Sequence, residues 1–252
     1  MTDRPRRRFQ PRLWPSLAAL SALAILLGLG TWQVQRLDWK AALIAEMQAR
    51  GAAQAIDLPR DLSVPDLEYR KVRLRGTFLH DRELYLSSRT NKGKVGLHVV
   101  TPMHLDNGRT ILVDRGWVPP ERKDPAARAE GQVAGPVALE GVLRRGGWGG
   151  SAWFQPANQP AENLWLWLDL PAMAARAGVP EAETAAYVAA GPAENPGVYP
   201  IGGTARVDLS NNHLQYAITW YALAAILLVI YVLHQSRPVA PPSVKDTDDA
   251  RL

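Results

Sequence analysis

The stretch LWPSLAALSALAILLGLGTWQVQ, residues 13–35, carries no charge between Arg12 and Arg36. About 20 residues at a rise of about 1.5 Å each cross the ~30 Å hydrocarbon core of a bilayer, so the run is long enough to span one. A secretory signal peptide shares the basic flank, but its apolar region is shorter, and no Ala-x-Ala-like cleavage site follows here. The reading is therefore an uncleaved anchor. A second run, LQYAITWYALAAILLVIYVL, fills residues 214–233 between His213 and His234, again uncharged. Tyr216, Trp220, Tyr221 and Tyr231 give it aromatic ends, and Trp14, Trp32 and Trp39 flank the first run, as interfacial belts do.

Working outward, the charge sharpens this picture. Residues 1–12 hold five arginines against Asp3, so +4 of the net +5 sits in this tail. Residues 13–234 are nearly neutral, with 21 basic and 20 acidic groups. A nucleic-acid surface would need its basic groups on the folded part, so no nucleic-acid partner is expected. The arginines instead mark the cytoplasmic side. Two spans return the chain to that side, which leaves residues 36–212 extracytoplasmic. The expected organisation is a basic tail (1–12), a span (13–35), a domain (36–212), a span (213–234) and a disordered cytoplasmic tail (235–252). No cysteine occurs, which excludes disulfides, thiolate metal sites and thiol redox chemistry.

The intervening domain opens with helical spacing over 38–54, where Ala41, Leu43, Ile44 and Met47 are apolar and Gly51 is a stop signal; this helix is expected to extend the first span above the membrane. Short strand signals follow. YRKVRLRGTFL at 69–79 alternates, with Val72 and Leu74 opposite Lys71, Arg73 and Arg75. Further segments are 83–87, 96–105, 110–113, 135–143, LWLWLDL at 164–170, and 185–190. Asn107-Gly108 is a hairpin signal. Residues 171–177 read as helical turns closed by Gly178. Many short strands with few helices predict a β-rich (small barrel or sandwich-like, α+β) domain rather than a doubly wound sheet.

Chemical motifs are sparse. No phosphate loop, dinucleotide fingerprint, nucleophile elbow or zinc-protease motif occurs. The glycines around Trp148 (Gly146, Gly147, Gly149, Gly150) read as a flexible loop. His98, Met103 and His104 are close in sequence, but Pro102 is expected to break the strand, so they read as ordinary surface or edge residues rather than a copper site. Asp114 and Arg115 are expected to end a strand and point to opposite faces. Arg36 marks the outer boundary of the first span.

His213 stands out. It opens the second span on the extracytoplasmic side, where a helix N-terminus disfavours the charged imidazole. Tyr216, Ala217, Trp220 and Tyr221 follow at helical spacing and would form an aromatic wall with one small residue, able to accept a planar macrocycle. Two readings stand at this point: an interfacial histidine capping the helix with Asn211 and Asn212, or a neutral axial ligand to haem iron.

Several segments together carry a family resemblance: LGLGTWQVQRLDWK at 27–40, YRKVRLRGTF at 69–78, ILVDRGWVP at 111–119, FQPANQPAENLWLWLDLPAMA at 154–174 and VDLSNNHLQYAITWYALA at 207–224. In this order, bracketed by two spans, they resemble the Surf1 family of cytochrome c oxidase assembly factors. The resemblance implies a non-enzymatic role in building the haem-bearing catalytic subunit of the haem-copper oxidase. Bacterial members look like haem a-binding proteins, and a histidine at the start of the second span is implicated in them. That histidine corresponds to His213, which becomes the expected ligand of the haem iron, with Tyr216, Trp220, Trp32 and Arg36 as expected haem contacts. The element Gly30-Thr31-Trp32-Gln33 through Arg36 would pack across the spans or meet the propionates. Expected partners are the oxidase catalytic subunit, the haem a synthesis machinery and the lipid bilayer. The family also includes mitochondrial inner-membrane members, but the short start without a Ser-rich transit segment points to a bacterial inner membrane. The alternative is a cofactor-free membrane scaffold that holds the catalytic subunit during maturation. An enzyme is disfavoured because no acid–base pair or redox centre is visible.

Overall fold

The computed structural model describes residues 7–204 and 211–238. In chain order the elements are β1 (Arg7–Phe9), α1 (Leu13–Ala52), β2 (Ile56–Asp57), β3 (Lys71–Phe78), β4 (Leu84–Asn91), β5 (Lys94–Leu105), β6 (Thr110–Val118), β7 (Pro136–Arg144), β8 (Leu164–Trp165), α2 (Leu170–Arg176), β9 (Glu183–Ala190), α3 (His213–Gln235) and β10 (Ser236–Pro238). They fall into two compact units. One holds the residues up to Ile44 and from Leu209; the other is Ala45–Asp208.

In the first unit α1 and α3 pair antiparallel. Ser16 meets the Tyr231 hydroxyl at 2.6 Å and Thr31 meets the Tyr221 hydroxyl at 3.2 Å. Gly30 permits this approach, because a Cβ there would lie 2.7 Å from the Tyr221 ring. Both helices are long and apolar enough to cross a membrane. A soluble core helix would bury its apolar side chains, whereas Ile218 (60% exposed), Val229 (58%) and Ile230 (57%) face outward, consistent with membrane association.

The helix read at 38–54 continues the first span, as expected: Leu13–Ala52 is one 40-residue helix, since nothing from Arg36 to Lys40 breaks helical geometry; only the solvent preference of the side chains changes there. The tails differ from expectation, because they contribute structure. β1 pairs antiparallel with β10, Arg8 opposite Arg237, and the Gln10 amide donates to the Gln235 carbonyl at 2.9 Å. Antiparallel helices bring these two ends together, so their backbone groups can satisfy each other. The remainder of the expected 235–252 tail lies outside the described residues.

The second unit is a closed, barrel-like sheet. The ring runs β3–β7–β9–β6–β5 and is closed by a further β3–β5 pairing, with β2 beside β3 and with β4 and β8 beyond β5. Closure removes the exposed edges of the ring strands. All five ring strands feed one core cluster: Val72 and Leu74, Met103 and Leu105, Ile111 and Val113, Leu143, and Val188. The alternation read in β3 is realised, with Val72 and Leu74 buried and Arg73 and Arg75 exposed. A second cluster joins Leu84, Leu86, Val100, Leu112 and Trp165 to Leu170 and Met173 of α2. β6 serves both clusters and is buried along its whole length, which is why its sequence starts as an unbroken apolar run.

Pro102 does not break β5. That strand pairs with β4 up to Val100 and with β3 from Met103 onward, so Pro102 sits at the change of neighbour. There its missing N–H is not required, while its carbonyl accepts from Leu79 N at 2.9 Å. LWLWLDL is not one strand. Leu164–Trp165 pairs in parallel with β4, and Leu168 makes a single antiparallel bridge to Gly147. The chain then turns so that Asp169 caps α2, its carboxylate accepting from Ala172 N at 3.2 Å, with Pro171 in the first turn.

Candidate functional site

α3 begins at His213, and its imidazole Nδ1 lies 2.7 Å from Gln33 Oε1 of α1. An amide oxygen only accepts, so Nδ1 carries the proton and donates. That choice of tautomer leaves Nε2 with a lone pair in the neutral ring, and no described residue bonds it. Gln33 is buried, 9% exposed, near the end of an otherwise apolar run. A buried amide needs a partner, and the imidazole supplies one. Asn211 adds a second tie across the pair, its amide donating to the Leu37 carbonyl at 3.4 Å. No side-chain cap from Asn212 is formed at the start of α3.

Of the other expected contacts, the structure brings some to this seam and leaves others out. Trp220 is half-buried and Tyr216 is exposed. Tyr221 is not part of an open aromatic wall; it packs on Gly30 and bonds Thr31. Ala217 is 2% exposed, so the small gap expected beside it is already filled. The same helix face cannot both pack on α1 and stay open. Trp32 and Arg36 lie on exposed flanks of α1. The Arg36 guanidinium stacks over the rings of Trp39 (5.0 Å) and Trp32 (5.9 Å). Among the described residues no carboxylate holds its N–H edge. From the element 30–36, then, Gly30, Thr31 and Gln33 contact α3.

The β-rich unit holds two buried polar groupings that the sequence did not announce. His98 is 4% exposed, not an edge residue. Its Nδ1 lies 2.8 Å from Asp114 Oδ2, while Asp114 Oδ1 accepts from Gly116 N at 3.0 Å. Met103 points into the ring core, and His104 bonds Thr110 at 3.2 Å, so His98, Met103 and His104 do not converge.

The second grouping centres on Glu83, whose side chain is 2% exposed. Arg128 grips it with both terminal nitrogens, one at 3.0 Å, Gln132 donates at 3.2 Å, and Arg115 approaches at 3.5 Å. Burial pushes the Glu83 carboxyl up, but His80, Arg128 and Gln132 outweigh it and hold it at about 2. Burial likewise lowers Arg115 to about 10, with Glu83 opposing and Arg128 assisting. Asp114 and Arg115 can serve these separate groupings because the strand does not end there. A bulge lies between Val99 and Val100, opposite Gly116 and Asp114, and leaves Arg115 as the extra residue. Gly116 completes the turn at φ +118°, where a Cβ would sit 1.9 Å from the Ile201 carbonyl. Trp117 then exchanges backbone bonds with Ile201 at 2.9 and 2.8 Å. The segment VDRGW is thus a bulge, two buried charge anchors and a docking point.

Two apolar helices paired antiparallel, bracketing a β-rich domain with a closed barrel-like sheet, define the class. The chain belongs to the SURF1 family, whose model matches residues 20–225, a span that includes Gln33, the VDRGW bulge and His213. It is similar to Surfeit locus protein 1 of Rattus norvegicus, 44% identical over 219 residues that cover 80% of this chain and 69% of the relative. The Homo sapiens protein of that name is 44% identical over 215 residues, covering 79% and 70%. A SURF1-like protein of Monosiga brevicollis is 38% identical over 228 residues, 85% of each chain.

Proposed function

We propose that this chain is a non-enzymatic membrane assembly factor for haem-copper cytochrome c oxidase. It receives haem a as cargo on His213 and assists its insertion into the catalytic subunit. The observation that carries this reading is the Gln33–His213 bond. Metal-binding histidines are oriented by an acceptor on the second ring nitrogen, which fixes the tautomer and raises ligand basicity. Gln33 is such an acceptor, so the donor set fits an iron ligated through Nε2. Among the described residues no carboxylate holds the Arg36 N–H edge while its face is stacked, which suits a propionate carboxylate. Trp32, Tyr216 and Trp220, on the same two helices, are the aromatic side chains this reading assigns to the macrocycle.

The setting is a bacterial inner membrane with both termini cytoplasmic, supported by the five arginines of residues 1–12 and by the two helix ends that meet at β1 and β10. A single protein ligand suits transfer, because a second strong ligand would slow release to the oxidase subunit.

The test is co-expression with haem a synthesis, followed by purification and visible spectra. Wild type carries a haem a band, His213→Ala loses it, and Gln33→Leu weakens it. Equal haem content in wild type and His213→Ala would overturn the ligand assignment. Wild type that co-purifies with the catalytic subunit yet never acquires haem would overturn the haem reading and leave the scaffold alternative standing.

A further inference from the structure

The β-rich unit contains a cavity of about 1000 Å³, built from none of the residues assigned to haem. His98 and Asp114 line it, and Trp117 and Tyr187 contribute aromatic wall. Its charged lining is unbalanced. Arg89, Lys92, Lys94 and Arg144 face Asp114 and Glu121, and Asp114 is already engaged by His98 and Gly116 N. Cavities for apolar ligands are lined mainly by hydrophobic side chains, whereas polar and charged groups supply as much of this lining as apolar ones.

Arg144 carries the argument. It is half-buried, and its Nε is a buried donor with no hydrogen-bond partner among the described residues. Its guanidinium lies 4.8 Å from the Tyr69 ring centroid. That stacking occupies a face and the Tyr69 hydroxyl engages part of the edge; the remaining N–H donors are the part that recognises oxyanions. The Nε itself is closed to solvent, so the terminal nitrogens of the guanidinium are the donors that a ligand oxygen in the cavity would meet. Four cations against one uncommitted acid call for more than one negative charge, which a phosphate group carries on a single centre.

We propose that this cavity is an oxyanion site that takes a phosphate-bearing ligand on Arg144, with Lys92 and Lys94 at its mouth. Arg144 supplies affinity from a partly desolvated position. The two lysines are exposed and act mainly as a salt-screened attraction. The phosphate has two sources, a free small molecule or the headgroup of an anionic phospholipid.

The experiment uses the full chain in detergent, titrated calorimetrically with inorganic pyrophosphate. Wild type binds saturably. Arg144→Gln weakens binding at least about tenfold, as expected for loss of a charge-assisted pair. Lys92→Gln with Lys94→Gln weakens it about threefold at low salt, and the difference disappears at high salt. Micelles doped with phosphatidic acid, against phosphatidylcholine alone, assign the source. Competition with pyrophosphate supports the site with a lipid headgroup as occupant; undisturbed pyrophosphate binding supports it with a free phosphate. Absence of saturable wild-type binding to either probe, or equal binding in Arg144→Gln, overturns the proposal. Should Arg144→Gln fail to fold, the exposed lysine pair carries the test, and unchanged low-salt binding in that variant overturns it. No readout involves haem, so the outcome is independent of the function proposed above.

Discussion

Replacing Glu83 with Gln tests whether the β-rich unit rests on its buried charges. The substitution keeps volume and one acceptor but removes the charge that Arg128 and Arg115 share. Both guanidinium groups are almost fully buried, with side chains 1% and 3% exposed. Breaking such a grouping from one side costs about 3–5 kcal/mol, because the surviving charges stay desolvated. For a unit of this size, about 2–4 °C is lost per kcal/mol, so the melting temperature should fall by about 6–20 °C.

Acid titration gives an independent estimate. A carboxyl held at about 2 against its ordinary value of 4.5 corresponds to about 3 kcal/mol. The folded value is depressed, so this stability is fully present above pH of about 4.5 and is lost as pH falls through that window towards about 2. Glu83→Gln should therefore show a flatter acid limb than wild type over that range. The assay is thermal unfolding of the full chain in detergent, followed by near-ultraviolet circular dichroism from pH 7 down to about 2.5. A variant that melts within about 1 °C of wild type, with a superimposable acid limb, would refute the reasoning.

Other substitutions probe the packing. Gly116→Ala places a Cβ 1.9 Å from the Ile201 carbonyl at φ +118°, and should cost more than about 2 kcal/mol and expose the Ile201 segment to limited proteolysis. Gly30→Leu should separate α1 from α3 and lower the melting temperature of the helix pair, followed by far-ultraviolet circular dichroism, whereas Gly30→Ala, where the far end of the Tyr221 side chain can yield, should be much milder. Trp165→Ala, at 0% exposure between β4 and α2, should cost about 3–5 kcal/mol in chemical unfolding. In contrast, Trp153→Ala, 94% exposed, should change stability by less than about 0.5 kcal/mol.

Strands with one buried face were legible because alternation records that face directly. Val72 and Leu74 in β3 are the clearest case. Pro102 misled because proline is read as a breaker, and only the switch of β5 from β4 to β3 shows a place where it fits. LWLWLDL misled because apolar content marks burial, not conformation; Asp169 and Pro171 were the helix-start signal within it. His213 was legible as a polar residue at the edge of an apolar run. Its partner was legible only as a segment: the resemblance marked residues 30–36 for packing across the spans, while Gln33 itself lies 180 residues away and nothing local distinguishes it from a boundary glutamine. The Glu83 and His98 groupings were hidden for the same reason. Charged residues are ordinarily solvated, and the partners that make burial tolerable, Arg128 for Glu83 and Asp114 for His98, are distant along the chain.

What residue order settled here is local. Two uncharged runs of bilayer length, an arginine-rich start, and a middle segment of short alternating strands all follow from near-neighbour chemistry. What the folded arrangement added is pairing. Closing the ring required β3 to meet β5, burying Glu83 required Arg128 and Arg115, and fixing the tautomer of His213 required Gln33. Hydrophobic burial acts on each side chain separately and leaves its periodicity in the sequence. A buried hydrogen bond or ion pair acts between two residues, and its existence depends on where the rest of the chain brings the second.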